Sequence, residues 1–109
     1  MKIIITENQL RKVYFKFLNY LFDGIYEVEL NEYPDLRFWK KDDRVVLELE
    51  KSGNLIVSLS IWSDISNMFS LEYNETKQLI KDWVEQHLEL EGITPLMAWV
   101  SNEEWWNNI

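Results

Sequence analysis

Between Tyr26 and Trp62, apolar and polar side chains alternate with a period of two residues, in four short runs separated by turns. Such alternation predicts an antiparallel β-sheet with one face packed on the core and the other face in water. We therefore expect a four-stranded antiparallel meander. The residues expected to face the core are Tyr26, Val28, Leu30, Leu36, Phe38, Val45, Leu47, Leu49, Leu55, Val57, Leu59 and Ile61.

The register of this meander follows from the requirement that core-facing residues lie opposite one another. The three strand pairs are then set by Leu30 opposite Leu36, Phe38 opposite Leu47, and Leu49 opposite Leu55. Asp42-Asp43 forms the second turn, and Gly53 supplies a left-handed residue in the third. One row on the exposed face is predicted to consist of Glu29, Arg37, Glu48 and Ile56, with Arg37 between the two carboxylates.

Apolar residues at helical spacing predict one helix before the sheet and one after it. The first helix begins with a capping-box pattern at Thr6 and ends at Asp23-Gly24. A short helix or turn is expected over residues 63–70. A long helix then begins near Asn74 and ends at Glu91-Gly92. The apolar stripe of the first helix is Leu10, Val13, Tyr14, Phe17, Leu18 and Leu21.

These elements predict a single α+β domain over residues 1–109, with both helices packed on the apolar face of the sheet. Residues 93–109 form an aromatic C-terminal tail in this prediction. One last helical turn in the tail is expected where Ser101-Asn102-Glu103-Glu104 offers capping side chains.

The net charge of −8 is concentrated in the second half of the chain. Residues 1–51 carry nine Lys and Arg against ten Asp and Glu, whereas residues 52–109 carry two against nine. A field of this sign disfavours nucleic acids and anionic membranes as partners and favours a basic protein surface. The chain has no cysteine and no apolar run of membrane-spanning length, so we expect a cytoplasmic protein.

Catalytic side chains are scarce in the sequence. All three glycines are explained by turns and helix ends, so none remains for a phosphate-binding loop, and no cofactor is expected. His87 is the only histidine and lies in a helical stripe, and with no cysteine a zinc site of the usual kind is excluded. In the predicted register Arg37 neutralises Glu29 and Glu48, which disfavours a metal site there. We expect that the protein is not an enzyme.

Asp82, Glu85 and Glu89 share one face of the predicted long helix, at spacings of three and four residues. We call them the acidic ridge. Such a ridge could mimic the phosphates of a nucleic acid and block a DNA-binding protein. A solvated helix face has the same pattern, and charge runs on helices are usually of this second kind.

Six tryptophans are many for 109 residues. Trp39, Val46 and Trp62 are predicted to lie on the outer sheet face, where they form either a patch for a partner or a surface covered by the tail. In the tail, Trp99 is predicted to cover the core, whereas Trp105 and Trp106 are predicted to bind a partner. The candidate partner-binding residues are therefore Trp39, Val46, Trp62, Trp105 and Trp106.

The opening segment Lys2-Ile3-Ile4-Ile5-Thr6-Glu7-Asn8-Gln9-Leu10 resembles the openings of short uncharacterised proteins of tailed phages. This resemblance implies an accessory protein acting in a host cytoplasm and identifies no functional residue. The leading hypothesis is a protein–protein interaction module, acting as a homodimer or on a host or viral protein. The alternatives are the acidic nucleic-acid mimic and a carboxylate-dependent hydrolase.

Overall fold

The computed structural model describes residues 7–109, with side chains from Gln9 onward, so the predicted cap at Thr6 lies outside it. The α+β prediction is confirmed, with four helices and one five-stranded sheet in the described part. Within these residues no helix combines the length and the apolar composition needed to cross a bilayer. The elements in chain order are α1 (Glu7–Leu21), β1 (Tyr26–Val28), β2 (Arg37–Lys41), β3 (Arg44–Leu49), β4 (Asn54–Val57), α2 (Leu59–Phe69), α3 (Tyr73–His87), β5 (Thr94–Met97) and α4 (Val100–Trp106).

The sheet order is β1-β2-β3-β4-β5, so the first four strands form the predicted antiparallel meander. The prediction of four strands is wrong because the tail contributes β5, which lies parallel to β4. Helices α2 and α3 make the crossover connection that a parallel pair requires. Strand β5 could not be predicted from the sequence because the strand is only four residues long and contains Pro95. Proline is depleted in strands and is tolerated at the edge of a sheet.

Two of the three predicted registers are confirmed. Leu49 lies opposite Leu55, and Val28 lies opposite Phe38, as the Leu30–Leu36 pairing requires. The predicted β2–β3 register holds only at the hairpin end of these strands. Beyond it the pairing shifts by one residue, because Val46 is an extra, unpaired residue of β3.

Because of this β-bulge, side chains of β2 lie on the opposite sheet face from the one that simple alternation predicts. Trp39 lies opposite Leu47 and joins the helix-covered core, whereas Phe38 lies opposite Glu48 on the other face. The predicted row with Arg37 between Glu29 and Glu48 is therefore wrong. Arg37 lies opposite Leu49 and forms an ion pair with Glu27 at 2.6 Å.

The larger core lies between one sheet face and helices α1, α2 and α3. At its centre Phe22 stacks on Trp83 with ring centroids 4.6 Å apart, and the Trp83 indole N–H donates to the Asn19 side-chain oxygen at 2.8 Å. The buried apolar residues of this core are Leu18, Phe22, Trp39, Val46, Leu47, Leu55, Val57, Ile61, Trp62, Ile65, Leu79, Ile80, Trp83, Val84 and Ile93.

Helices α2 and α3 differ from their predicted bounds. The chain turns helical at Leu59, so Leu59 and Ile61 are not strand residues, and Trp62 is buried inside α2. Ile61, Trp62 and Ile65 fit a helical period as well as the end of a strand, which explains the error. Helix α3 begins at Tyr73, near Asn74 as predicted, but its N-cap is Glu72 rather than Asn74, and it ends at His87, before the predicted Glu91-Gly92.

The second sheet face is also covered, contrary to the prediction of one wet face. Helix α4 lies against it, and Trp106 is 5% exposed. The chain can therefore bury apolar residues on both sides of the sheet. The buried residues of this second core are Phe38, Val45, Ile56, Ala98 and Trp106, packed by Leu30, Leu36, Leu96, Trp105 and Ile109.

The β2–β3 turn gives a testable prediction, because Asp42 and Asp43 both adopt positive φ, 51° and 64°. Positive φ at both central residues is typical of a type I′ turn, in which glycine is favoured. Asp43→Gly should raise the free energy of unfolding by about 0.5–1 kcal/mol. Glycine removes the steric cost of a positive φ at Asp43, roughly 1–2 kcal/mol. This gain exceeds the roughly 0.4–1 kcal/mol by which the greater conformational entropy of glycine stabilises the unfolded chain.

Urea denaturation measures this change. Gly53→Ala serves as a control of opposite sign, because Gly53 adopts a φ of 97° that alanine tolerates poorly. A loss of stability in Asp43→Gly would show that the contact of Asp43 with the Tyr26 hydroxyl, at 3.4 Å, outweighs the backbone strain.

Candidate interaction surface

The predicted partner-binding residues lie mostly inside the domain. Trp39 is buried because of the bulge, and Trp62 is buried because it belongs to α2 rather than to a strand. Val46, the extra residue of the bulge, is buried beside them. The predicted outer-face position of these three residues is therefore wrong. Their role in partner binding stays a prediction, and none of them offers an exposed side chain to a partner.

Trp105 and Trp106 both act as cover for the second sheet face. The Trp106 indole N–H donates to the Glu48 carboxylate at 2.9 Å, in a buried contact across 58 residues of sequence. Trp105 is half-buried, and its ring centroid lies 5.5 Å from those of Phe38 and Tyr33. Because Trp106 buries its ring and also pairs its indole N–H, this side chain fixes the position of α4 on the sheet.

Glu48 is the buried carboxylate beneath the tail. Burial raises its pKa above the ordinary glutamate value because it disfavours the charged form. The hydrogen bond from Trp106 acts in the opposite direction and is the smaller effect, and the nearby charge of Glu50 raises the pKa further. The tail is thus held partly by a group whose charge state depends on pH.

Trp99 is the exposed member of the six tryptophans, all of which lie in the described part of the chain. Its side chain is 78% exposed, and that of Val100 is 67% exposed. The prediction that Trp99 covers the core is wrong. Ala98 takes the buried position, and its N–H donates to the Val57 carbonyl oxygen at 2.8 Å. The alternation from buried Ala98 then turns Trp99 outward.

Hydrogen bonds fix the conformation of the backbone around Trp99. The Trp99 N–H donates to the Asn102 side-chain oxygen at 2.9 Å, and the Asn102 N–H donates back to the Trp99 carbonyl oxygen at 3.0 Å. Glu103 accepts the Leu59 N–H at 2.9 Å and joins α4 to the start of α2. We call Trp99 and Val100, on this ordered turn, the Trp99 surface.

A second apolar surface lies on α1 and the end of α2. The α1 stripe was predicted to be core, but of its residues only Leu18 is fully buried. The Phe69 ring lies 4.6 Å from that of Tyr14 and 5.4 Å from that of Phe17, and Phe17 stacks on Tyr20 at 6.3 Å. We define the α1–α2 surface by its aromatic residues and their apolar neighbours, namely Val13, Tyr14, Phe17, Tyr20, Met68 and Phe69.

The acidic ridge is interrupted. Asp82 accepts a hydrogen bond from the Gln78 side chain at 2.8 Å, and Glu85 accepts the Ile93 N–H at 3.4 Å. Glu89 lies beyond the end of α3, with a φ of 55°, so its predicted place on the same helix face is wrong. Asp82 and Glu85 therefore have hydrogen-bond partners within the domain, and Glu89 does not extend the acidic ridge along α3.

The single histidine of the chain packs against its own helix. His87 stacks on the Trp83 ring at 4.4 Å, and its Nδ1 lies 2.9 Å from the Trp83 carbonyl oxygen. Among residues 9–109, no three His, Asp or Glu side chains are close enough to share a metal ion. A cleft of about 700 Å³ beside the β2–β3 turn contains Ser58, Ser60, Arg44 and Asp64, and His87 is not among its described lining residues.

Glu48 generates a pH-dependent prediction. Its pKa is raised in the folded protein, so its contribution to stability is present below the unfolded-state pKa and is lost as pH rises through the folded-state value. Glu48→Gln removes this titration. The stability of Glu48→Gln relative to wild type should therefore increase as pH rises above the ordinary glutamate pKa.

Denaturant unfolding of both proteins in the same buffers, from about pH 4, near the ordinary glutamate pKa, to about pH 8, measures this difference. The comparison cancels the other carboxylates, which both proteins share. A stability difference that stays constant across the range would show that Glu48 titrates as it does in the unfolded chain.

The acidic ridge generates a second prediction. Replacing Asp82, Glu85 and Glu89 together by Gln should change the free energy of unfolding by less than about 1 kcal/mol, because exposed or half-buried carboxylates contribute little and Gln keeps an acceptor for the Ile93 N–H. Thermal unfolding measures the change. A larger loss would show that the charge of Glu85 itself stabilises the start of β5.

Comparison with known proteins gives no relative from which a role could be transferred. No family model matches the chain, and searches of curated proteins and of solved structures find no match. A function for this chain must therefore be inferred from its own residues and their contacts.

Proposed function

We propose that this protein is a non-enzymatic protein–protein interaction module that binds a partner through the Trp99 surface. The observation that carries the proposal is the exposure of Trp99 and Val100 next to each other, 78% and 67%, on a turn fixed by hydrogen bonds. Trp39, Trp62, Trp83 and Trp106 are buried in the same domain. Tryptophan is enriched among the residues that dominate binding energy at protein interfaces.

The ordered backbone supports a binding role for Trp99. A side chain whose backbone is already fixed loses little conformational entropy when a partner covers it, so more of the buried apolar area contributes to affinity. An indole that only filled space would be expected to fold onto the domain, as Trp106 does. A partner that buries Trp99 and Val100 would remove the largest exposed apolar side chains of the α4 region from water.

The charge around the Trp99 surface favours a basic partner. Glu103 and Glu104 follow Trp99 on α4, and residues 52–109 together carry nine acids against two lysines. Acidic groups at the rim of an apolar anchor increase association with a positively charged protein and disfavour an acidic one. The resemblance of residues 2–10 to phage proteins would make that partner a host or viral protein. The nucleic-acid mimic is less well supported, because the acidic ridge is interrupted at Glu89.

Paired substitutions test this proposal. Trp99→Ala should change the free energy of unfolding by less than about 0.5 kcal/mol, because the side chain is exposed. It should weaken binding of the partner by about 30-fold or more, the effect expected for an anchor worth 2 kcal/mol. Affinity capture from lysate of the expressing cells, with quantitative mass spectrometry of wild type and variant side by side, identifies proteins that depend on Trp99.

Two control variants make the result decisive. Trp106→Ala should lose about 3–5 kcal/mol of stability because it empties the second core. Val100→Glu should keep stability and lose the same proteins as Trp99→Ala, because Val100 is exposed beside it. Identical capture by wild type, Trp99→Ala and Val100→Glu would contradict the proposal.

A further inference from the structure

The α1–α2 surface is a separate apolar face from the Trp99 surface. Along it Val13 is 51% exposed, Tyr20 is 72% exposed and Met68 is 58% exposed. The ring contacts of Phe69 with Tyr14 and Phe17 make the surface continuous across the two helices. A patch of this kind on a small domain is typical of an interface rather than of a solvated helix face.

An apolar groove runs beside the same helix. It lies between the first half of α1 and α3, with a volume of about 510 Å³, and its apolar lining includes Leu10, Tyr14, Phe15 and Leu79. The ridge of exposed α1 side chains and the groove that could receive such a ridge are therefore neighbours on one molecule. A two-fold dimer needs this arrangement, because each copy must present both halves of the contact.

Opposite charges lie on the two sides of the groove, with Arg11 on the α1 side and Glu75 and Asp82 on the α3 side. Lys12 and Lys16 are exposed elsewhere on α1 and do not line the groove. None of these cations pairs with an acid of α3 inside the chain, since Arg37–Glu27 is the one ion pair among described side chains. Placed against a second copy, the cations of α1 would meet Glu75 and Asp82 at the groove of its partner, which favours that docking.

We infer that the protein forms a two-fold homodimer in which the exposed α1 side chains Val13 and Tyr20 of each copy dock into the groove between α1 and α3 of the other. The Lys12 and Lys16 side chains of one copy then lie beside Glu75 and Asp82 of its partner. Dimerisation leaves the Trp99 surface free, because that surface lies at the opposite end of α2 from Phe69. Each dimer would present two such anchors.

Sedimentation equilibrium of the full chain measures the mass in solution. We expect a dimer of the 13.3 kDa chain that weakens as salt is added. Val13→Glu should weaken dimerisation by about tenfold or more, since it places a carboxylate in the apolar contact. Val100→Glu is the matched control, because it introduces the same group at an exposed valine of the other surface and should leave the dimer intact.

Charge reversal tests the proposed pairing of α1 with α3. Lys12→Glu with Lys16→Glu should weaken the dimer, and adding Asp82→Lys should restore part of the lost affinity. Three results would overturn the inference: a wild type of single-chain mass at all concentrations, a dimer that survives Val13→Glu, or a dimer lost in Val100→Glu. Thermal unfolding of every variant confirms that loss of the dimer is not loss of the fold. Failure of the dimer would not affect the Trp99 proposal, which is measured by capture.

Discussion

The fold depends on covering both faces of one small sheet. Leu47, Leu55 and Val57 require cover on one side, and Phe38, Val45 and Ile56 require it on the other. Helices α1, α2 and α3 cover the first face, whereas Ala98, Trp105, Trp106 and Ile109 of the tail cover the second. The buried hydrogen bond between Trp106 and Glu48 fixes the tail helix on that face. A buried carboxylate without this donor would bear the cost of an unpaired polar group.

The path of the chain explains how the tail reaches the second face. Helices α2 and α3 form the crossover that returns the chain to the sheet edge, where β5 pairs parallel with β4. Pro95 lies in this edge strand, where a missing N–H is tolerated. Because β5 ends at the edge, the next residues can pass to the uncovered face and begin α4 there. Trp99 lies at this change of direction, which is why its side chain points away from both cores.

Two groups of exposed apolar residues lie at opposite ends of α2, while Tyr26, Tyr33 and Tyr73 are exposed elsewhere. The start of α2 is joined to α4 by the Leu59–Glu103 hydrogen bond, close to Trp99, whereas its end carries Phe69 against α1. Eleven residues of helix separate these ends by about 16 Å. A partner at one end and a second copy at the other would therefore use different parts of the surface. Under the proposed function, the exposed aromatic anchors would supply apolar affinity and the acidic charge would select the partner.

The sequence by itself determined the local features. Alternation identified the four meander strands, and turn residues located the Asp42-Asp43 hairpin and the Leu49–Leu55 pairing. Helical spacing predicted α1 and most of α3. These features could be predicted because they depend on periodicity and backbone conformation over a few residues. For the candidate site, the sequence pointed to the aromatic tail, but it predicted burial for Trp99, which is exposed, and not for Trp106, which is buried.

Only the tertiary structure decided on which face of the sheet each side chain lies. One extra residue at Val46 changes the pairing from Trp39–Leu47 to Lys40–Val45, and a shift of one residue moves a side chain to the opposite face. Alternation alone cannot detect such a bulge when apolar residues occupy both faces, as in Phe38-Trp39 and Val45-Val46-Leu47. The cover of the second face by α4 likewise depends on contacts between residues 58 positions apart. Which tryptophan remains exposed is set by these long-range contacts, because local periodicity gives the direction of a side chain but not what lies opposite it.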